Sequence, residues 1–209
     1  MSKSKPYIPI EFPPKDLILE PFIKKIGQAN RGVALFDGIL RALPNPDILL
    51  APLITNEAVL SSKIEGNQPS FYLSEYFEKN RTEYYDRLLM ITKDGDWSGW
   101  IDFFLTAVIQ QAKINIDKAQ KLLNLYNEMK DKFIQATKSQ YAIPALDAFF
   151  KQPVIDTKSF LELIKAPKKS GIEVLNKLVY SNLIILRTPS KGNNPAVYEF
   201  AKILDIINA

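Results

Sequence analysis

Apolar positions recur at helical spacing along most of this chain. Leu17, Leu19, Phe22, Ile23 and Ile26, followed by Val33, Leu35, Phe36, Ile39 and Leu40, predict helix over residues 16–41. Before it, prolines at 6, 9, 13 and 14 predict an extended arm. After it, Pro44 and Pro46 break any helix, and residues 47–53 have room for one short turn before Pro52. Asn56 is placed to cap a helix from Glu57 to about Glu65, which Gly66 can end in a left-handed conformation. A second periodic segment spans residues 71–92, with Phe71, Leu73, Tyr76, Phe77, Tyr84, Leu88 and Leu89 on one side.

Asp94-Gly95-Asp96-Trp97 reads as a turn that caps a third helix beginning near Trp97. From Trp97 to Ala136 one long helix, or two, is expected. Its stripe is Trp100, Ile101, Phe104, Leu105, Val108, Ile109, Ala112, Ile116, Ala119, Leu122, Leu123 and Tyr126. The ordinary meaning of such a stripe is the core of a helical bundle.

Beyond residue 139 the pattern changes. A helix is expected over Tyr141–Phe150, then an extended piece at Pro153-Val154-Ile155. Asp156 or Thr157 caps a helix over 158–165, Pro167 closes a turn, and 168–182 form another helix. The branched run 183–187 and the segment 196–200 read as strands joined by the Gly-, Asn- and Pro-containing loop 188–195. Helix, turn, helix and hairpin in this order describe a winged helix-turn-helix. The chain is therefore expected to be mainly α, a helical bundle followed by a winged helix-turn-helix with a small β-hairpin. Its expected parts are 1–66, 67–138 and 139–209.

In a winged helix the second helix of the pair is clasped by the first so that it can enter a major groove. Phe160, Leu161 and Ile164 would meet Val174, Leu175, Leu178 and Val179 in that clasp. Candidate DNA contacts are Lys168, Lys169, Ser170, Asn176 and Lys177 on the second helix, with Arg187 and Lys191 on the wing. Residues 151–192 hold eight basic and three acidic side chains, a local surplus larger than the +4 of the whole chain. Such a surplus favours phosphate contact without proving it.

Composition removes several chemistries. Among 209 residues there is no cysteine and no histidine. Disulfides, thiolate chemistry and histidine general bases are excluded, and no metal site is expected. No apolar run approaches membrane-spanning length, and the basic N-terminal residues lack the apolar core of a secretory signal. A cytoplasmic protein without membrane contact is expected.

The phrase Ser61-Ser62-Lys63-Ile64-Glu65-Gly66 resembles the inhibitory helix of the Fic family, with Ser61, Glu65 and Gly66 on the signature positions. Leu43-Pro44-Asn45-Pro46 is similar to the same family's N-terminal region. Tyr72-Leu73-Ser74-Glu75-Tyr76-Phe77 through Tyr84-Tyr85, then Gly95-Asp96-Trp97-x-x-Trp100, resembles the segment after its catalytic loop. The resemblance implies a partial Fic fold and kinship with enzymes that transfer AMP from ATP to protein hydroxyls. ATP and Mg²⁺ serve the intact family. It also implies a protein target, and it places Tyr84 and Tyr85 near a nucleotide.

The family's His-Pro-Phe-x-x-Gly-Asn-Gly-Arg loop is missing. Only residues 67–71 separate Gly66 from Tyr72. No catalytic residue and no cofactor are therefore expected for this chain, and no transferase activity. Glu65 has lost the arginine it pairs with in the family, so it is either a solvated carboxylate at a helix end or pairs with Arg81 or Lys63. Tyr84 and Tyr85 then read first as core rings with exposed hydroxyls. DNA, a protein partner or a second copy of the chain are the remaining partners.

Overall fold

The structure is a computed structural model, and it describes residues 14, 17–42, 51 and 73–209. The expected helix at 57–65, with Ser61, Glu65 and Gly66, lies outside the described residues, as does nearly all of 47–53. The described chain divides into two compact units. One comprises 14, 17–38 and 73–116, and the other comprises 39–42, 51 and 117–209. The protein is mainly helical with a small antiparallel sheet.

In the first unit a short 3₁₀ turn leads into α1, Ile23–Ala42, whose residues from Ile39 belong to the second unit. The expected single segment over 71–92 is instead two helices, α2 (Ser74–Lys79) and α3 (Arg81–Asp94). Asn80 separates them at φ −113°, ψ 33°. Its side-chain amide donates to the Tyr76 carbonyl at 2.8 Å. This local bond offers the backbone an alternative to an unbroken ladder. Gly95 ends α3 in the left-handed region, as its position in the turn predicts. Asp96 then accepts from the Gly99 N–H at 2.8 Å and caps the next helix.

That helix, α4, runs unbroken over Trp97–Thr137. Its residues up to Ile116 belong to the first unit and those from Asp117 to the second. Its buried residues are Phe103, Ala107, Gln111, Ala112, Asn115, Lys118, Ala119, Leu122, Leu125, Met129, Phe133 and Thr137. Ala112, Ala119 and Leu122 of the expected stripe are buried, whereas Phe103 is buried in place of the expected Phe104. Gln111, Asn115 and Lys118 occupy the buried face because hydrogen bonds satisfy part of their demand. Gln111 donates to Asn115 at 3.0 Å, and the Lys118 ammonium donates to the Ile207 carbonyl at 2.8 Å.

The second unit continues with α5 (Ala142–Lys151), β1 (Val154–Asp156), α6 (Thr157–Ile164) and α7 (Lys168–Tyr180). Next come β2 (Ile185–Thr188), β3 (Val197–Glu199) and α8 (Ala201–Asn208). The expected hairpin is enlarged into a three-stranded sheet of order β1-β3-β2. Ile155, Tyr198 and Leu186 align in register across it, as do Val154, Glu199 and Ile185. Ile155 and Tyr198 are buried, so this row faces the core on β1 and β3, whereas Leu186 on edge strand β2 is exposed. The sequence pattern does not predict α8. This helix is only eight residues long and gains its order from burying Ile203 and Ile207.

The core of this unit is aromatic. Phe149 lies 5.5 Å from Phe160 and 6.2 Å from Phe200, ring centre to ring centre, and Phe133 lies 5.9 Å from Phe200. All four are fully buried. They hold helices and sheet around one centre, which fixes where the outer face of α7 points. Among the described residues no helix is long and apolar enough to cross a membrane.

Candidate nucleic-acid interface

The clasp between α6 and α7 forms as the sequence predicts, through buried Phe160, Ile164, Val174, Leu175 and Leu178. Gly171 sets the approach. A Cβ there would lie 2.1 Å from Leu161 Cδ2. Asp156 caps α6, accepting from the N–H groups of Lys158 at 2.8 Å and Ser159 at 3.1 Å. The Ser159 hydroxyl donates to the same carboxylate at 2.7 Å. These bonds hold the Asp156 carboxyl below its ordinary value. No side chain caps the start of α7. Its first N–H groups, flanked by exposed Lys168 and Lys169, present positive potential to solvent.

Between α6, α7 and the β2–β3 loop lies a cleft of about 730 Å³. Lys168, Ile172 and Asn176 line it from α7, and Thr157, Lys158, Leu161 and Glu162 from α6. Ser190, Asn193 and Asn194 line it from the loop, and Tyr198 from β3. Burial raises the pKa of the Tyr198 hydroxyl, partly offset by its hydrogen bond with Thr157. Polar groups thus ring an apolar floor, with lysines at the α6 and α7 edges.

The candidate DNA contacts separate into groups. Lys168 and Asn176 share the cleft, and Lys169 is exposed beside it. Ser170 and Lys177 lie on the other side of α7, around a smaller hollow with residues 138–141. Lys177 pairs with Glu173 at 2.8 Å and donates to the Thr137 carbonyl at 3.1 Å. The lysine in turn holds the Glu173 carboxyl below its ordinary value. Arg187 pairs with Glu199 at 3.2 Å, and Lys191 pairs with Asn194 through backbone hydrogen bonds in the loop. The sequence pattern does not single out Lys158 as a contact, although it stands two residues after the Asp156 cap, at the end of α6 that opens toward the loop.

In the first unit Tyr84 and Tyr85 belong to an aromatic cluster. The Tyr84 ring lies 5.1 Å from Phe77 and 5.7 Å from Trp100. Tyr85 stands edge-on to it at 5.2 Å, with the Arg81 guanidinium 5.7 Å from the Tyr85 ring centre. Ring packing and a cation–π contact account for both residues. Among the described residues no cluster of histidines, cysteines or carboxylates is arranged to hold a metal ion.

A family comparison covers α1 and α2. Residues 23–83 match the model described as Fic/DOC family N-terminal, across less than a third of the chain. The match includes α1 and α2, and it runs through the short junction between Gly66 and Tyr72. Over residues 23–83 the chain is similar to the N-terminal region of the Fic/DOC family.

Proposed function

We propose that this chain is a Fic-family protein without AMP-transferase activity of its own, which acts by binding duplex DNA through residues 139–209. The observation that supports the second part is the element order α5-β1-α6-α7-β2-β3 with sheet order β1-β3-β2. This is the order of a winged helix, and it leaves the Lys168–Lys169–Asn176 side of α7 open beside the β2–β3 loop. In this reading α7 enters the major groove. Lys158, Lys168 and Lys169 contact phosphates, and Asn176 faces base edges. The first part is supported by chemistry. The chain holds no histidine to deprotonate a target hydroxyl, and residues 67–71 leave no room for a glycine-rich phosphate loop.

Mobility shifts of the full chain on duplex DNA, at low and at physiological salt, test the DNA reading. Binding is expected at low salt and weaker binding at physiological salt, because released counterions drive association. No shift at either salt removes it. Incubation with labelled ATP and Mg²⁺ tests the other part. Transfer of label to the chain or to added protein would overturn the absence of transferase activity.

A further inference from the structure

A second basic site lies in the first unit, between α1 and α4. Lys25 on α1 pairs with Asp102 on α4 and donates to the Thr106 hydroxyl at 3.0 Å. One further contact fixes the direction of the pair. A Cβ on Gly32 would lie 2.9 Å from the Ala112 Cβ. Moving forward along α1 therefore moves forward along α4, so the two helices run parallel here, with facing residues about 80 apart.

Parallel packing places like beside like. Gln28 falls opposite Gln110, Arg31 opposite Lys113, and Leu35 opposite Ile116. All six line one groove of about 490 Å³. Among its described lining residues there is no carboxylate. Lys25 at one end is already neutralised by Asp102, but Arg31 and Lys113 have no ion-pair partner among the described residues. Two cations held at the same level of two helices repel each other unless an anion sits between them.

We infer that this groove binds the phosphate of a small phosphate monoester with an apolar body. Arg31 and Lys113 together carry two positive charges, and a phosphate monoester carries about −1.5 to −2 at neutral pH. The guanidinium and ammonium offer more donors than a carboxylate can accept, whereas a phosphate presents three oxygens. Gln28 and Gln110 supply further donors on one side. Leu35 and Ile116 form an apolar shelf on the other, suited to an alkyl or aryl group. The volume lies within the range of small-ligand sites. This inference is independent of the DNA reading, since every residue in it lies outside residues 139–209.

Calorimetric titration of the full chain with phenyl phosphate, inorganic phosphate and benzoate tests it. Phenyl phosphate is expected to bind at least about tenfold more tightly than the other two, because only it uses both the cation pair and the shelf. Arg31→Gln with Lys113→Gln is expected to weaken phenyl phosphate at least about tenfold and to leave the melting temperature without ligand unchanged or raised. Leu35→Ser, at an exposed position, is expected to remove the advantage over inorganic phosphate alone. A phosphotyrosine peptide serves as a further arm. Tighter binding than phenyl phosphate assigns the ester to a protein side chain, and equal or weaker binding assigns it to a free small molecule. Equal affinity for phenyl phosphate and benzoate overturns the inference, as does no binding or an unchanged affinity in the double variant.

Discussion

The Lys177 ammonium donates to the main-chain carbonyl of Thr137, 3.1 Å away across forty residues of sequence. Thr137 is the last residue of α4 and is fully buried. Lys177 therefore closes the end of one helix against the side of another, with Glu173 holding it in place. Among the lysines of α7 it is the one committed to structure.

Lys177→Ala is accordingly expected to lower stability by about 1 kcal/mol, the net worth of one such bond. Lys168→Ala, in the open cleft, should leave stability nearly unchanged. The two should exchange roles in DNA binding. Lys168→Ala reduces the salt slope by about one contact, and Lys177→Ala leaves the slope as it was. Urea midpoints and mobility shifts over a salt series read the two effects.

Lys118 is a second buried cation with a structural task, donating to the Ile207 carbonyl near the end of α8. Lys118→Ala is expected to cost about 2–3 kcal/mol, since it removes a charge-assisted bond and the packing of the stem. Lys118→Met keeps the stem and should cost less. Thermal unfolding of both variants checks the order. Equal costs would mean that the charge alone matters.

Asp156 links the α6 cap to pH. Its folded pKa lies below the ordinary 3.8, chiefly through the Ser159 hydroxyl and then the Ser159 N–H. The stabilisation it adds is fully present above 3.8 and is lost as pH falls through the lower, folded value. Asp156→Ala should cost about 1 kcal/mol at pH 7. Asp156→Asn should retain most of the cap and remove this residue's share of the acid sensitivity. Urea unfolding at pH 7 and pH 3 separates the two.

Gly171→Ala drives a methyl into Leu161 Cδ2. Leu161 lines the cleft and has space to rotate, so a cost of about 1–2 kcal/mol is expected. In the double variant with Leu161→Ala the added methyl meets no clash. The combined cost should then be smaller than the sum of the two single costs, and strict additivity would show that the two side chains do not meet.

The sequence located most helices because their apolar periods are long, as in α1 and α4, or because turn chemistry is explicit, as at Gly95 and Asp156. It drew the stripe of α4 correctly at Ala112, Ala119 and Leu122 but took Phe104 for Phe103. Gln111, Asn115 and Lys118 occupy buried positions that apolar counting assigns to the surface, and only their hydrogen bonds explain them. It ran α2 and α3 together because the break at Asn80 comes from one side-chain bond to a carbonyl. It leaves α8 unassigned, although Ile203 and Ile207 stand one helical turn apart.

The candidate interface was legible as residue types but not as directions. Lys168, Asn176 and Lys177 lie within three turns of one helix, and charge alone cannot say which of them faces outward. The partners at Thr137 and Glu173 decide it, and they come from elsewhere in the chain or from the next turn. Lys158 shows the converse. Nothing in its own neighbourhood marks it, and its place in the cleft depends on a loop more than thirty residues away.

Lys138, Lys165 and Asn182 all have left-handed backbones, at φ 48°, 51° and 53°. Each stands just past a helix end, where glycine would carry no side-chain penalty of about 1–2 kcal/mol. The second unit is thus less heat-resistant than its fold allows, and the shortfall lies in its connections while its aromatic centre is full. A thermostable form would come from exchanging Lys138 and Lys165 for glycine, at positions that do not line the cleft, leaving Phe149 and its neighbours untouched.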